Sequence, residues 1–135
     1  MVKVTELIVA RSSHSVLNHK EKIYITGGMT DNEEVLKKCE LFNPKTNEVT
    51  MISSCKYPTT NSCLAAIGDD LLVKLGGVFP NGENNDTIEI LNLRSNRWDE
   101  IDPTIENMNS EFGLLSCSGW APLNRNQIFI FGGYN

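Results

Sequence analysis

The sequence predicts an all-β protein built from repeated four-stranded antiparallel units. Three observations lead there. Apolar runs ending in a glycine pair recur at Gly27-Gly28, Gly76-Gly77 and Gly132-Gly133, spaced 49 and 56 residues apart. The segments after the first two pairs superimpose without a gap. Helical 3.6-residue periodicity never extends beyond a turn or two, Glu33 to Lys38 being the one weak candidate.

The overlay is specific. Glu40 falls on Glu89, Leu41 on Ile90, Phe42 on Leu91 and Asn43 on Asn92; further on, Asn47 falls on Asn96, Val49 on Trp98 and Ile52 on Ile101. Apolar and turn residues stay in step throughout, so the repeat is structural. In the first unit the strands are predicted at Ser13 to Leu17, Lys22 to Thr26, Lys38 to Phe42 and Glu48 to Ile52. In the second they fall at Ser62 to Ile67, Leu71 to Leu75, Thr87 to Leu91 and Arg97 to Ile101. The segments between them carry turn chemistry: Asn18-His19-Lys20, Asn43 to Asn47, Gly68-Asp69-Asp70 and Asn92 to Asn96.

Length and composition set the class. The chain has 135 residues, 40% hydrophobic and 21% charged, as in an ordinary soluble domain. A net charge of −5 argues against a nucleic-acid partner, since readers of phosphate backbones present a basic face. Apolar stretches such as Ile128 to Phe131 are far too short to cross a bilayer. At the N-terminus the apolar run Leu7 to Ala10 is cut off by Arg11 and no small-residue cleavage pattern follows, so no leader is read there. Cys39, Cys55, Cys63 and Cys117 form no close pair along the chain, and the expectation is four reduced thiols in the cytoplasm.

These residues resemble kelch repeats. Kelch blades end their second strand on a glycine pair, with an aromatic residue just upstream, and carry a Trp on the fourth strand about 22 residues beyond it. Gly76-Gly77 and Trp98 fit that pattern, the turn at Asn43 to Asn47 has the family's style, and Arg11 matches the Arg ahead of the first strand. Val49 stands where the first unit would have Trp, and Thr59-Thr60-Asn61 where the second would have Arg. The resemblance implies four-stranded blades forming part of a β-propeller. Residues 1–10 would end a preceding blade, 11–53 and 54–102 would be two blades, and 103–135 the first half of a further one. Propellers close with about four to eight blades of about 50 residues, and this chain supplies about 2.7. It is expected to be a segment of a longer propeller, part of a ring assembled with other copies or chains, or a free-standing partial propeller. The remaining blades would come from the same longer chain or from other copies.

The physical reading of the signature residues is structural. Gly27, Gly28, Gly76, Gly77, Gly132 and Gly133 permit positive φ and close approach of a neighbouring chain. Trp98 would sit between blades with its N–H bonded. The glycine pairs lack the context of a phosphate cradle, having neither GxxxxGK[ST] nor GxGxxG nor a following helix.

No catalytic constellation is visible. His14 and His19 are the whole supply of histidine. His14 precedes Gly27 by the interval that separates Cys63 from Gly76, which puts both on inner strands, yet no metal-ligand spacing accompanies them. No cofactor and no metal are expected. The resemblance implies a protein-interaction scaffold or adaptor, in adaptor or cytoskeletal work; the alternative is a segment of a propeller enzyme whose site lies in the parent's central channel. In a four-strand meander the second-to-third and fourth-to-first loops share a face, here Met29 to Lys37, Ser53 to Asn61, Val78 to Asp86 and Asp102 to Glu111. Those loops hold Asp31, Glu33, Glu34, Glu83, Asp86, Asp102, Glu106 and Glu111 against Lys37 and Lys56. The opposite turns carry Lys20, Lys22, Lys45, Arg94 and Arg125 with Glu21, Asp69 and Asp70. Asp31, Asn32, Glu33, Asn81, Glu83 and Asp86 are the expected contacts for a protein partner with a basic surface.

Overall fold

The structure, a computed structural model, describes residues 5–101 and 116–134; Asp102, Glu106 and Glu111 lie outside these, as do the side chains at 116–118, including Cys117, and at 130–134. All the regular structure described is β. Strands β1 (Ser15–His19), β2 (Lys22–Thr26), β3 (Cys39–Asn43) and β4 (Glu48–Ile52) form one antiparallel sheet in sequential order. Strands β5 (Cys63–Ile67), β6 (Leu71–Leu75), β7 (Ile88–Asn92) and β8 (Arg97–Ile101) form a second sheet of the same order. A third sheet pairs β9 (Ser116–Asn124) with β10 (Gln127–Tyr134). The expected bounds of β2, β4, β6 and β8 coincide with those observed, and the others move by one or two residues. No helix forms at Glu33 to Lys38. Glu33 instead adopts φ 63°, and Val35 bridges back to Met29.

Local chemistry explains the turns. Asn43 Oδ1 accepts from Lys45 N at 3.0 Å, and Asn92 Oδ1 from Arg94 N at 2.9 Å. Each turn closes on an asparagine of positive φ, Asn47 at 58° and Asn96 at 52°. The β1–β2 turn is a two-residue loop, Lys20 and Glu21, with φ 49° and 61°, the primed geometry whose twist suits a hairpin. The β5–β6 turn holds three residues, Gly68, Asp69 and Asp70.

That extra residue corrects one expectation. Ser15 pairs with Thr26 as Cys63 pairs with Leu75, so Cys63 is the counterpart of Ser15, and Ser62 that of His14. His14 and Cys63 are one residue out of step because the second hairpin is one residue longer.

The sheets pack face to face in a series, with β1 beside β5 and β5 beside β9. Alternation along the strands sends side chains to opposite faces. Leu64, Leu72 and Leu91 meet Leu17 and Tyr24 of the first sheet, with Trp98 packed against them. Cys63, Val73 and Leu75 form a core on the other face, against Trp120 of β9. Consecutive strands of one sheet thus serve two cores.

The first two glycine pairs sit where the chain leaves β2 and β6. Gly28 has φ 90°, its N–H donates to Thr59 O at 3.0 Å, and a Cβ there would lie 2.6 Å from Ser12 O. Gly77 repeats this with φ 89° against Thr60 O and Ser62. The third pair differs: Gly132 and Gly133 lie inside β10, where Gly132 pairs with Ser118 and Tyr134 with Ser116, because the partner strand is nine residues long and the ladder runs on.

Candidate interaction face

The loops after β2 and β6 are small hairpins with one hydrogen-bond plan. Thr30 N donates to Glu34 O at 3.0 Å and Phe79 N to Glu83 O at 2.8 Å; Glu33 N donates to Thr30 O and Gly82 N to Phe79 O. Each is closed at its base by Leu36 N to Gly28 O or Asn85 N to Gly77 O. Glu33 and Gly82 occupy the same left-handed position. The β4–β5 linker runs beside both hairpins: Cys55 N donates to Lys37 O, Gly28 N to Thr59 O, and Thr60 bridges Val78. Backbone bonds therefore hold the two hairpins and the linker together as one ordered surface.

Asp31, Asn32, Glu33, Asn81, Glu83 and Asp86 are all exposed on these hairpins. Asn81 donates to Glu83 Oε2 at 2.8 Å and its Oδ1 accepts from Glu83 N, which fixes that turn. Among the described residues Asp31, Glu33, Glu34 and Asp86 make no ion pair. Lys56 on the linker is engaged with Glu100 and lies 5.2 Å from the ring of Tyr57, which meets Phe79 edge-on at 6.0 Å. The opposite turns neutralise themselves: Asp69 binds Lys20 and Arg125, Asp70 binds Arg94, and Glu21 binds Lys45. The nearby Lys20 charge, then the Arg125 hydrogen bond, hold the Asp69 carboxyl below its ordinary pKa. Charge separation between the two ends is sharper than a residue count suggests.

Beneath the face lie two buried ion pairs that reading the sequence missed. Glu40 on β3 and Glu89 on β7 are the same repeat position, and both are fully buried. Glu40 binds the Arg11 guanidinium and accepts from the backbone N–H groups of Ile8 and Val9. Arg11 also donates to Gly27 O at 2.8 Å and Lys38 O at 2.7 Å, tying the entering segment to the hairpin base. In the second unit Thr59 stands at Arg11's place. Glu89 takes its cation from β6 instead: Lys74 Nζ lies 3.1 Å from Glu89 Oε2, both side chains 1% exposed, and Lys56 N donates to the other carboxylate oxygen. An unpaired buried carboxylate is costly, and Lys74 supplies in the second unit the cation that Arg11 supplies in the first. The available signal was a glutamate falling on a glutamate inside apolar strands, together with Lys74 breaking the run Leu71 to Leu75.

Trp98 is half-buried, its ring against the inter-sheet core and its Nε1 donating to Ser53 O at the end of β4, 2.9 Å away. His14 is partly buried; burial first, then the Arg11 charge, lowers its pKa. Among the described residues no group of three or more His, Cys, Asp or Glu side chains could hold a metal ion.

Comparison with known proteins agrees with this architecture. Residues 10–56 match the family described as Kelch motif. The chain is 27% identical over 135 residues to alpha-scruin of Limulus polyphemus, covering 98% of this chain and 14% of that protein. It is 27% identical over 97 residues to Kelch-like protein 15 of Danio rerio, 67% of this chain and 16% of that one. Identity is again 27% over 121 residues to Kelch-like protein 41b of Danio rerio, 90% of this chain and 18% of that one. The family match lies over the first four-stranded sheet. The two four-stranded antiparallel sheets are consistent with kelch propeller blades, and the chain spans less than a fifth of the length of these relatives.

Proposed function

We propose that this kelch segment is a non-catalytic protein-interaction module, an adaptor or cytoskeletal scaffold, that binds a protein partner with a basic surface through the β2–β3 and β6–β7 hairpins. The observation that carries the reading is the pair of matched, backbone-braced hairpins whose exposed acids have no counter-ion among the described residues, while acids at the opposite end are paired. A braced loop loses little entropy on binding, and unpaired like charges on a rigid rim raise association rates with a cationic surface. Asp31, Asn32, Glu33, Asn81, Glu83 and Asp86 are the proposed contacts. The blades are assigned to 11–53 and 54–102, with 1–10 ending a preceding blade and 103–135 beginning a further one. The setting is the cytoplasm.

The test is capture of binding proteins on the immobilised chain, followed by association kinetics with E33K/E83K and, separately, D69K/D70K. The first pair should slow association and the second should leave it unchanged, with binding weakening as salt rises past the point where exposed charges are screened over about 8 Å. A partner whose kinetics ignore both the hairpin reversals and the salt would refute the electrostatic contact.

A further inference from the structure

The interface between the two blades holds a group of side chains that neither packing nor charge balance fully accounts for. Cys39, at the start of β3, and Cys55, on the β4–β5 linker, are both buried, at 0% and 2% exposure. Both sulfurs share one acceptor, Lys37 O, at 3.5 Å from Cys39 Sγ and 3.3 Å from Cys55 Sγ, and Cys55 Sγ also lies 3.2 Å from Tyr57 O. Lys74 Nζ donates to Cys55 Sγ at 3.5 Å while it holds Glu89. An open cavity of about 270 Å³ is lined by residues 34–38 with Ser54 and Pro58, so its wall includes Lys38 and Ser54, the residues immediately before the two cysteines.

We propose that Cys39 and Cys55 are a hydroperoxide-oxidisable pair that closes to an intramolecular disulfide, with Cys55 the reacting thiol and Cys39 the resolving one. The assignment of roles follows from the surroundings. An ammonium at hydrogen-bond distance favours the anionic form of Cys55, and thiolate is the form that attacks peroxide. The hydrogen bond from Cys39, then Lys74 acting against the cost of burial, lowers the Cys55 pKa; that same bond and burial raise the Cys39 pKa. Cys39 thus keeps its proton and stays in reserve.

The chemistry balances in two steps. The Cys55 thiolate attacks the hydrogen-bearing peroxide oxygen; the O–O bond breaks, an S–O bond forms, and the departing alkoxide or hydroxide takes up from solvent the proton the thiol released on ionising, leaving a sulfenic acid and an alcohol or water. Cys39 sulfur then attacks the Cys55 sulfur, the S–O bond breaks, and water leaves with the Cys39 proton. The peroxide gains two electrons and each sulfur gives one. The bond would join β3 of one blade to the linker that enters the next, fastening the base of the β2–β3 hairpin.

The experiment is treatment of the full chain with one equivalent of hydrogen peroxide at neutral pH, then alkylation in denaturant and non-reducing peptide mapping. The expected product has lost two hydrogens and links the Cys39 and Cys55 peptides, while Cys63, equally buried, is still alkylated in full. In C39S the reaction should stop at a Cys55 sulfenic acid, which a cyclic 1,3-dione labels; in C55S, Cys39 should stay alkylatable, its oxidation at least tenfold slower than that of Cys55 in the native chain. The proposal is overturned if Cys39 and Cys55 remain alkylatable under conditions that oxidise Cys63 or Cys117, if the bridge joins a different pair, or if C55S oxidises at Cys39 as fast as the native chain oxidises at Cys55. Circular dichroism of both serine variants must match the native chain, and C63S, which should still form the bridge, controls for substitution of a buried cysteine.

Discussion

Replacing Lys74 by methionine isolates the buried ion pair of the second blade. Methionine nearly matches the lysine stem in volume, so packing around β6 is retained while the ammonium disappears. Among the described residues Glu89 then keeps one donor, Lys56 N, and loses its ion-pair partner, in a place where both side chains are 1% exposed. Solvent screening offers no relief at that depth, and breaking such a pair from one side costs about 3–5 kcal/mol. Tyr57 O, which accepts from Lys74 Nζ at 2.9 Å, is left with the weaker Cys55 thiol donor at 3.2 Å. Glu89→Leu alone should cost a similar amount by stranding the lysine. The double variant K74M/E89L removes both charges together and is expected to lie within about 2 kcal/mol of the native chain, since apolar replacement of a whole buried pair is often neutral or better. Urea unfolding followed by tryptophan fluorescence, with the slope held constant across the four proteins, gives the cycle. A cost below about 1 kcal/mol for K74M, or a double variant as damaged as the sum of the singles, would refute the view that these charges are mutually dependent.

Other consequences are direct. Trp98→Ala should destabilise by about 3 kcal/mol, the low end for a large aromatic deletion because the ring is half-buried, and Trp98→Phe by about 1 kcal/mol for the lost bond to Ser53 O; equilibrium unfolding measures both. Gly28→Ala should cost more than about 2 kcal/mol, combining a left-handed φ of 90° with a Cβ 2.6 Å from Ser12 O, and a thermal shift near zero would contradict it. Glu33→Gly relieves a left-handed glutamate at the position where the second unit already has Gly82, and should leave stability unchanged or raise it by up to about 1 kcal/mol in the same assay. Thiol titration of the denatured, non-reduced protein kept from oxidants should find four reactive cysteines; two would mean a disulfide is present without peroxide.

The buried charges show where reading the sequence stops. Glu40 and Glu89 align in the repeat, but Arg11 has no counterpart at Thr59, and nothing local to Thr59 says where the second cation is. Lys74 lies on the other side of a glycine pair and a hairpin, and only the pairing of β6 with β7 brings it to Glu89. The same holds for Cys39 and Cys55. They are separated in sequence by a whole strand and turn, and they meet because the linker folds back onto Lys37.

The sequence by itself determined the fold class, the four-strand unit, the turn positions and the strands that carry them. Those depend on short-range rules, namely period-2 burial, asparagine and glycine at left-handed turns, and glycine where a backbone passes close, and each leaves its mark in consecutive residues. Only the tertiary structure decided which residues are counterparts across the blades, which acids are neutralised and which stand alone, and what surrounds Lys74. One added residue in the β5–β6 turn shifts β5 by one position relative to the overlay, so the counterparts of its residues in β1 shift by one. Contacts between sheets depend on such small differences in turn length and on which face of each strand meets its neighbour, and these are settled when the blades pack rather than when the strands form.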